Sequence, residues 1–483
     1  MELAPRMSFP RFIVLEARDK LNYMSYTRGG DTDGYLRFFE DRIQNPFAKF
    51  EVEFSTNNRA LAHIRSCQNN KYWERTKNLS LTGSTSSQYW ITATAGKKEE
   101  DQSKESCTLF RIISVNAAQN WVRIQHVQSG CYLCLWRWNN PRHTRSVLAN
   151  YRVFDGQSAD IFTIIDWKSL LFLPRYLAFK GDNEQYLCVR YLNKGRYPFL
   201  QFITDDIGDP TVPCEVFPTN DGSIRFKQIS NQNYWRRSPN WIWADSNDTS
   251  TNNRDTLFRP VKVDEQTIGL INLGNNRFCK RLTAENNTSC LNAAVTTLTR
   301  EAQLKVEEAV LTRQIYGVRY NLDNARVYDE QLLSLDENTS INGTQEPSTL
   351  DVTLSYTETR TSSWNTTISL KLGVTSTMEF KLPLIFEGKI ELSSEFQSSI
   401  KWGNTAEATT LVEVVNKVTV PPMTKATVSA WATNGKCDVP FTYLQRDTLF
   451  DGTTVLSEVQ GGVFTGSNYY NINFVTKNEK LRQ

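Results

Sequence analysis

The longest regular pattern in the chain is an alternation of apolar and polar residues between residues 368 and 402. Successive side chains of a β-strand point to opposite faces, so the pattern predicts a two-faced β segment. It is longer than the ~4 to 8 alternating residues typical of a half-buried strand. Apart from Pro383 and Ile385, its apolar positions are even-numbered, and the candidate membrane-insertion residues are Leu370, Leu372, Val374, Met378, Phe380, Leu382, Leu384, Phe386, Ile390, Leu392 and Phe396.

Pro383 lies near the middle of this stretch. Because proline cannot donate to a β ladder, the sequence predicts a turn there, with an arm on either side. A tilted strand needs only ~9 to 11 residues to cross a bilayer, so each arm is long enough to span one. One face would then meet lipid and the charged face would line water. A lone hairpin leaves unpaired backbone in lipid, so insertion requires several copies to pool their hairpins.

A long hairpin packed on a soluble sandwich would show the same alternation, with its odd-numbered face in water. Insertion and soluble packing therefore remain two alternatives for residues 368–402 on the pattern alone.

Shorter alternating strands, separated by Asn, Asp and Gly turns, occupy the first part of the chain. Two short sequence motifs recur there in the same order. Residues Lys71–Arg75 resemble Asn233–Arg237, and Thr108–Arg111 resemble Thr256–Arg259. Such repeats indicate two homologous domains. An aromatic–apolar pair follows a polar turn three times in each copy, which favours a β-trefoil over the alternative, a generic β-sandwich.

The charged residues 299–312 fit either a short helix or a closing strand, and longer alternation follows, as in Tyr316–Leu322. This predicts long antiparallel strands. The predicted fold is mainly β, with two tandem β-trefoils and then an elongated antiparallel β module. The predicted division is 8–165, 170–303 and 304–483, with the amphipathic hairpin 368–402 in the last part.

Composition and charge narrow the function. The net charge is +3, which argues against a nucleic-acid partner or a polybasic membrane anchor. No apolar secretory segment opens the sequence, and the nine dispersed cysteines are typical of a reduced compartment. We therefore expect a cytoplasmic or nucleocytoplasmic protein that acts on target-cell membranes only if released.

The sequence offers few residues or motifs that would support an enzymatic function. Histidine occurs three times, and motifs such as GxSxG, HExxH and a phosphate loop are missing. Cys131 and Cys134 form a lone CxxC without a second pair. We expect no enzyme, no metal and no cofactor.

Several short sequence motifs resemble those of the amaranthin family of lectins, which carry tandem β-trefoils. These motifs are Tyr89–Ala93, Cys107–Phe110, Asp166–Ser169, Tyr234–Asn240 and Leu291–Ala294. The last third resembles the aerolysin-type pore-forming module, through the long alternation and the closing run Gly461–Gly466. Plants fuse the two modules in amaranthin-like chimerolectins.

The resemblance implies a site for N-acetylgalactosamine or the T-antigen disaccharide, in a groove between the first domain of one subunit and the second domain of another. The matching first-domain positions are Asn78, Tyr89 and Trp90, although the segment Leu79–Gln88 separates Asn78 from the aromatics and departs from the family pattern. An aromatic ring stacks on the apolar face of galactose, and an amide both donates to and accepts from hydroxyls.

The second copy keeps a Ser-Pro-Asn turn, and its candidates are Asn240, Trp241 and Trp243. For each candidate aromatic in both copies, a core or turn role is the alternative. The resemblance thus implies a homo-oligomeric lectin for galactose- or N-acetylgalactosamine-containing glycans that inserts a β-hairpin into membranes, in plant defence. The alternative is a non-lytic lectin whose C-terminal module only mediates oligomerisation.

Overall fold

A computed structural model describes residues 9–20, 22–78, 88–136, 143–156, 158–192, 195–250, 252–365, 376–377, 379–398 and 405–481. Within these residues the chain is almost entirely β-strand and has no α-helix. Short 3-10 turns occur at Gly30–Thr32, Pro46–Ala48, Ala117–Gln119, Trp167–Ser169, Arg254–Thr256, Arg300–Ala302 and Leu322–Asn324. The chain forms two compact units. One contains both N-terminal repeats with Arg446–Leu456, and the other contains most of the C-terminal strands.

The first repeat closes into a barrel with three hairpins. Its strands β1 to β12 are Phe12–Ala17, Tyr23–Tyr26, Leu36–Glu40, Phe50–Phe54, Ala62–Ser66, Tyr72–Asn78, Gln88–Ala95, Phe110–Asn116, Trp121–His126, Tyr132–Leu135, Val147–Tyr151 and Phe162–Asp166. Antiparallel pairs join β1 to β4, β4 to β5, β5 to β8, β8 to β9, β9 to β12 and β12 back to β1. The hairpins are β2–β3, β6–β7 and β10–β11. This arrangement is a β-trefoil, as the repeated units predict.

The second repeat has the same topology. Its strands β13 to β24 are Tyr176–Lys180, Tyr186–Leu192, Tyr197–Thr204, Cys214–Pro218, Ile224–Gln228, Tyr234–Ser238, Trp241–Ser246, Phe258–Lys262, Thr267–Asn272, Arg277–Ala284, Asn287–Val295 and Leu304–Glu308. Strand β24 pairs with both β13 and β21 and closes this barrel. Residues 304–308 of the charged segment are therefore a closing strand, and the barrel extends past the predicted domain end at residue 303.

The sequence motifs that repeat in the two domains supply core residues of both barrels. Trp73 is fully buried, and its ring meets Phe110 edge-on at 5.9 Å between centroids. Trp235 and Phe258 make the equivalent edge-on contact at 6.3 Å in the second barrel. Aromatic pairs of this geometry add stability beyond the area that they bury. The repeated motifs therefore correspond to equivalent core contacts in the two domains.

The C-terminal strands are much longer. Strands β25 to β33 are Val310–Tyr320, Arg326–Asn342, Ser348–Asn365, Ser376–Thr377, Glu379–Phe386, Lys389–Ser398, Thr405–Val420, Thr424–Leu449 and Thr454–Lys480. Apart from β29 and β30, they form one seven-stranded sheet, in which β32 and β33 have 26 and 27 residues. Strands β29 and β30 pair only with each other in the described residues, as a two-stranded sheet. The prediction of long antiparallel strands is confirmed.

Candidate functional site

Hairpin β6–β7 carries the first-domain candidates. Asn78 is the last residue of β6 and lies opposite Gln88, and residues 79–87 are outside the described part of the chain. Strand β7 alternates, so Tyr89 and Trp90 point to opposite faces. The structure consequently separates the two aromatic candidates.

Trp90 is a core residue in this fold, with only 5% of its surface exposed. Its indole stacks on the His143 ring at 4.5 Å between centroids with an 11° interplanar angle, and it meets the edge of Trp136 at 5.8 Å. Protein rings thus cover Trp90 where a sugar would have to stack. Its burial favours the core alternative stated for this residue.

Tyr89 lies in a more open, polar setting. The ring is half-buried, and the Arg75 guanidinium carbon lies 3.5 Å from the ring centroid. The Tyr89 backbone N–H donates to Asn150 Oδ1 at 2.9 Å, and Arg75 Nε donates to the Ala149 carbonyl at 2.9 Å. Tyr89, Arg75 and Asn150 therefore bring a ring, a cation and an amide together, the kinds of group that recognise hydroxyls.

Hairpin β18–β19 carries the second-domain candidates, and they fall into two places. Asn240 is exposed at the turn, where its Oδ1 accepts from Asn275 Nδ2 at 3.3 Å and from Arg237 Nη1 at 3.4 Å. Trp241 is 5% exposed, and its Nε1 donates to Glu285 Oε2 at 2.9 Å. The amide is thus available at the surface whereas the Trp241 ring is a core element.

Trp243 is half-buried on the same strand as Trp241. It stacks on Tyr197 at 4.6 Å between centroids with a 20° interplanar angle. Arg236 lies 5.7 Å from the Trp243 ring and is held by two hydrogen bonds to Asp245, at 2.7 and 3.1 Å. Trp243 therefore belongs to a packed cluster of aromatic and charged side chains.

A cleft in the first trefoil contains residues that the sequence did not single out. Its volume is about 330 Å³, at the lower end for small-molecule sites. Its lining includes Trp136, Leu148, Tyr151, Phe154 and Asp155. Leu148 lies opposite Trp90 in the ladder, so the cleft adjoins the first-domain candidates.

The cleft combines an exposed ring with an oriented carboxylate. Phe154 is 59% exposed, yet it is held by Tyr132 at 5.0 Å between centroids and by Arg123 at 4.0 Å. Asp155 Oδ2 accepts the Ala159 N–H at 2.6 Å. Exposed aromatics shortly before an Asp-Gly pair were the available sequence signal, but without a fold they resemble any surface loop.

Cys131 and Cys134 are buried free thiols, and burial raises the pKa of Cys134 to about 12. The reactive thiolate of Cys134 is therefore disfavoured at neutral pH. Among the described residues, no cluster of His, Cys, Asp or Glu could hold a metal ion.

The turn of the amphipathic hairpin is not at Pro383, so that prediction is wrong. Phe386 lies opposite Lys389, and Glu387 and Gly388 form a two-residue turn with φ values of 49° and 75°. A tight hairpin turn needs positive φ at its central residues, which glycine adopts readily. Pro383 instead lies within β29, next to a register irregularity between Lys381 and Pro383.

The turn also changes which residues share a face. The side chains of directly opposite residues in antiparallel strands project to the same face, and here Leu384 lies opposite Glu391 and Phe386 opposite Lys389. The expectation of one wholly apolar face does not hold in this structure. A two-residue turn pairs even-numbered positions with odd-numbered ones, which divides the apolar residues between both faces.

The candidate insertion residues accordingly have mixed environments. Leu382 is 2% exposed, Leu384 and Ile390 are half-buried, Phe386 is 58% exposed and Leu392 is 41% exposed. Phe380 and Phe396 are placed in their strands by backbone pairing, and the remaining candidates lie outside the described residues: Leu370, Leu372, Val374 and Met378. No helix in the described part of the chain is long and apolar enough to span a membrane.

The fold defines a tandem β-trefoil protein with an elongated antiparallel β module. The agglutinin domain model matches residues 7–166 and 172–308, more than half of the chain, so the chain belongs to the agglutinin family. Residues 285–474 match the family of Clostridium epsilon toxin ETX and Bacillus mosquitocidal toxin MTX2. The protein thus has the amaranthin-like chimerolectin architecture, with two lectin domains followed by an aerolysin-type module. No curated protein matches the chain.

Solved structures resemble the chain only distantly. The lamprey immune protein is 14% identical, with 63% of this chain and 91% of that chain covered and a TM-score of 0.31. A mosquitocidal holotoxin is 9% identical, with 64% and 35% covered and a TM-score of 0.28. An aerolysin-like protein from Bombina maxima is 12% identical, with 34% and 99% covered and a TM-score of 0.24.

Proposed function

We propose that this protein is a plant defence lectin, specific for N-acetylgalactosamine or T-antigen-type glycans, that forms β-barrel pores in target membranes. The observation that carries the proposal is the hairpin β29–β30, a separate two-stranded sheet of alternating sequence in a toxin-type domain. Two lectin-family trefoils precede it in the same chain. They bind surface glycans, the C-terminal modules associate, and the hairpins insert together.

The surface groups of the trefoils support the glycan-binding step. Tyr89 with Arg75 and Asn150 in the first domain, and exposed Asn240 in the second, present ring, cation and amide groups. Galactose-type sugars have an apolar face and several hydroxyls, which require such a mixture. Trp90 and Trp241 contribute by holding the hairpins that carry these groups.

A glycan array with the whole protein tests the lectin step. We expect selective binding to N-acetylgalactosamine or T-antigen glycans, and a loss of about tenfold, or about 1.4 kcal/mol, in Tyr89→Ala or Asn240→Ala. Phe54→Ala is the matched control, because it removes a 42% exposed ring from barrel strand β4. Silence across the array, or unchanged binding in both site variants, would contradict the assignment. Trp90→Ala is a poor test because truncating a buried Trp destabilises the fold.

Release of dye from vesicles that carry the bound glycan tests the pore step. We expect release from the full chain at concentrations where it binds the vesicles. The competing function is a non-lytic lectin whose C-terminal module only mediates oligomerisation. Binding and association on vesicles without any release would establish that alternative.

A further inference from the structure

In a membrane-inserted hairpin, the apolar residues of both strands must lie on the same face, which restricts how odd- and even-numbered positions can pair. Each strand of a transmembrane barrel alternates between lipid and lumen, and directly opposite side chains share a face. Apart from Pro383 and Ile385, the apolar positions of both β29 and β30 are even-numbered. Even-numbered positions can lie opposite one another only across a loop with an odd number of residues. The two-residue loop Glu387–Gly388 cannot satisfy this condition.

Insertion in the observed register would expose charge to lipid whichever face turned outward. The face of Leu384 and Phe386 also carries Lys389 and Glu391. The opposite face, to which Ile390 and Leu392 belong, also carries Lys381. Charged side chains on the lipid face destabilise a barrel, so neither face of this hairpin is suited to a bilayer.

We propose that the hairpin Glu379–Ser398 slips by one residue when it inserts, so that Phe386 comes opposite Ile390. The proposal rests on the proposed pore function. A one-residue slip moves a whole strand's side chains to the other face. Next to the turn it creates the apolar pair Leu384–Leu392, and the loop becomes Glu387–Lys389. The inserted hairpin also loses the irregularity between Lys381 and Pro383, so that Phe380, which lies opposite Gln397 in the soluble fold, comes opposite Phe396 on the same face as Leu384 and Leu392.

Charge selects the direction of the slip. In the proposed register Lys381 comes opposite Glu395, an opposite-charge pair, on the face that lines water. An uninterrupted register shifted the other way at the turn, with Ile385 opposite Lys389, would place Glu379 opposite Glu395. Like charges directly opposite one another destabilise a sheet, so the register that pairs Phe386 with Ile390 is favoured.

The rest of the C-terminal unit holds the observed register. Asn468 Oδ1 accepts the Ile385 N–H, and Asn468 Nδ2 donates to the Ile385 carbonyl, both at 2.9 Å and both buried. Ile385 is 2% exposed and packs where Gly435 leaves room, since a Cβ at Gly435 would lie 3.2 Å from Ile385 Cδ1. The hairpin must therefore break its contacts with Asn468 and Gly435 before its strands can slip. The change of register thus depends on detachment of the hairpin from the soluble fold.

A disulfide that locks the observed register tests the proposal. Both backbone groups of Ile385 bond Asn468, so Ile385 and Ile390 form a non-hydrogen-bonded pair, whose Cα separation of about 4.5 Å is within disulfide range. Ile385→Cys with Ile390→Cys is made in a Cys437→Ala background, because Cys437 lies in the same core cluster. We expect the oxidised variant to bind glycan-bearing vesicles without releasing dye, and to recover release after reduction.

A second cysteine pair reports the slipped register directly. Leu384→Cys and Leu392→Cys project from opposite faces in the observed register and come opposite each other after the slip. We expect no cross-link in the soluble protein under mild oxidant. On vesicles undergoing release, we expect the cross-link to form and release to continue.

The outcomes separate the slip from the pore function. If wild-type protein releases dye and the oxidised Ile385→Cys/Ile390→Cys variant does so as fast as its reduced form, the slip is wrong and the pore function stands. If wild-type protein releases nothing, the pore function itself is wrong. If the locked variant is inactive in both redox states, the second pair decides. Its failure to cross-link on vesicles that release dye would then overturn the slip.

Discussion

At the scale of single residues, His126 is a titratable group inside the first trefoil. It is fully buried, with Nε2 lying 2.9 Å from the Cys107 carbonyl and Nδ1 lying 3.0 Å from Ser129 Oγ. Burial lowers the pKa of His126 below its usual 6.5, and it lowers the pKa of buried His63 as well. The folded trefoil thus favours neutral imidazole at both positions.

This lowered pKa makes the stability of the first trefoil depend on pH. Because the folded pKa is below that of the unfolded chain, the unfolded state binds more protons as the pH falls below about 6.5. We expect the free energy of unfolding to decrease between about pH 7 and about pH 5, and to decrease less in His126→Gln. Denaturant unfolding at both pH values measures this. An equally steep pH dependence in His126→Gln would contradict the role of His126, and His63→Gln is the matched comparison.

The aromatic residues show which side-chain roles could be predicted from the sequence and which could not. The repeats found Trp73 and Trp235, which are the core tryptophans of the two barrels. Repetition does not distinguish a ring that packs inside from one that meets a ligand, since both uses need a flat apolar surface. Trp90 and Trp241 lie inside because the trefoil hairpins pack on each other, and that packing joins residues far apart in sequence.

At the scale of elements, the hairpin's apolar positions define a substitution test. Phe386 is 58% exposed, so we expect the soluble fold to tolerate aspartate there, and to lose some stability but stay folded with aspartate at half-buried Leu384, which packs against the core. In the inserted hairpin the same aspartates would face lipid, which destabilises a barrel. We therefore expect Leu384→Asp/Phe386→Asp to keep glycan binding and lose dye release. Leu384→Met/Phe386→Leu, which keeps both positions apolar, should retain release. Persistent release by the aspartate variant would refute the assignment of this hairpin.

The alternation predicted the hairpin but not its turn. The eleven even-numbered apolar candidates identify a two-faced segment, yet the same pattern would arise whichever residue lay at the tip. The observed tip depends on the positive φ values of Glu387 and Gly388 and on the bonds from Asn468, far along the chain. Pro383 is accommodated within a strand because the ladder is irregular beside it. Local composition alone could not show either feature.

At the scale of the whole molecule, two lectin-family domains and one toxin-type module share a single chain. The module contributes one hairpin, which cannot close a barrel by itself, so the proposed pore needs several chains at one place on the membrane. Glycan contacts from both trefoils would raise the retention of each copy by avidity, with gains of about 10²-fold or more. The proposed role of the trefoils is thus to set the surface concentration at which assembly begins.

Dye release should therefore depend steeply on the density of surface glycan. We expect vesicles that carry N-acetylgalactosamine-terminated lipid to release dye at a rate that rises faster than linearly with the lipid fraction, since both binding and assembly depend on it. Free N-acetylgalactosamine in excess should suppress release, whereas free glucose should not. Vesicles with glucose-terminated lipid are the matched control. Equal release from glycan-free vesicles would show that the module reaches membranes without the trefoils, and would separate the two halves of the proposed mechanism.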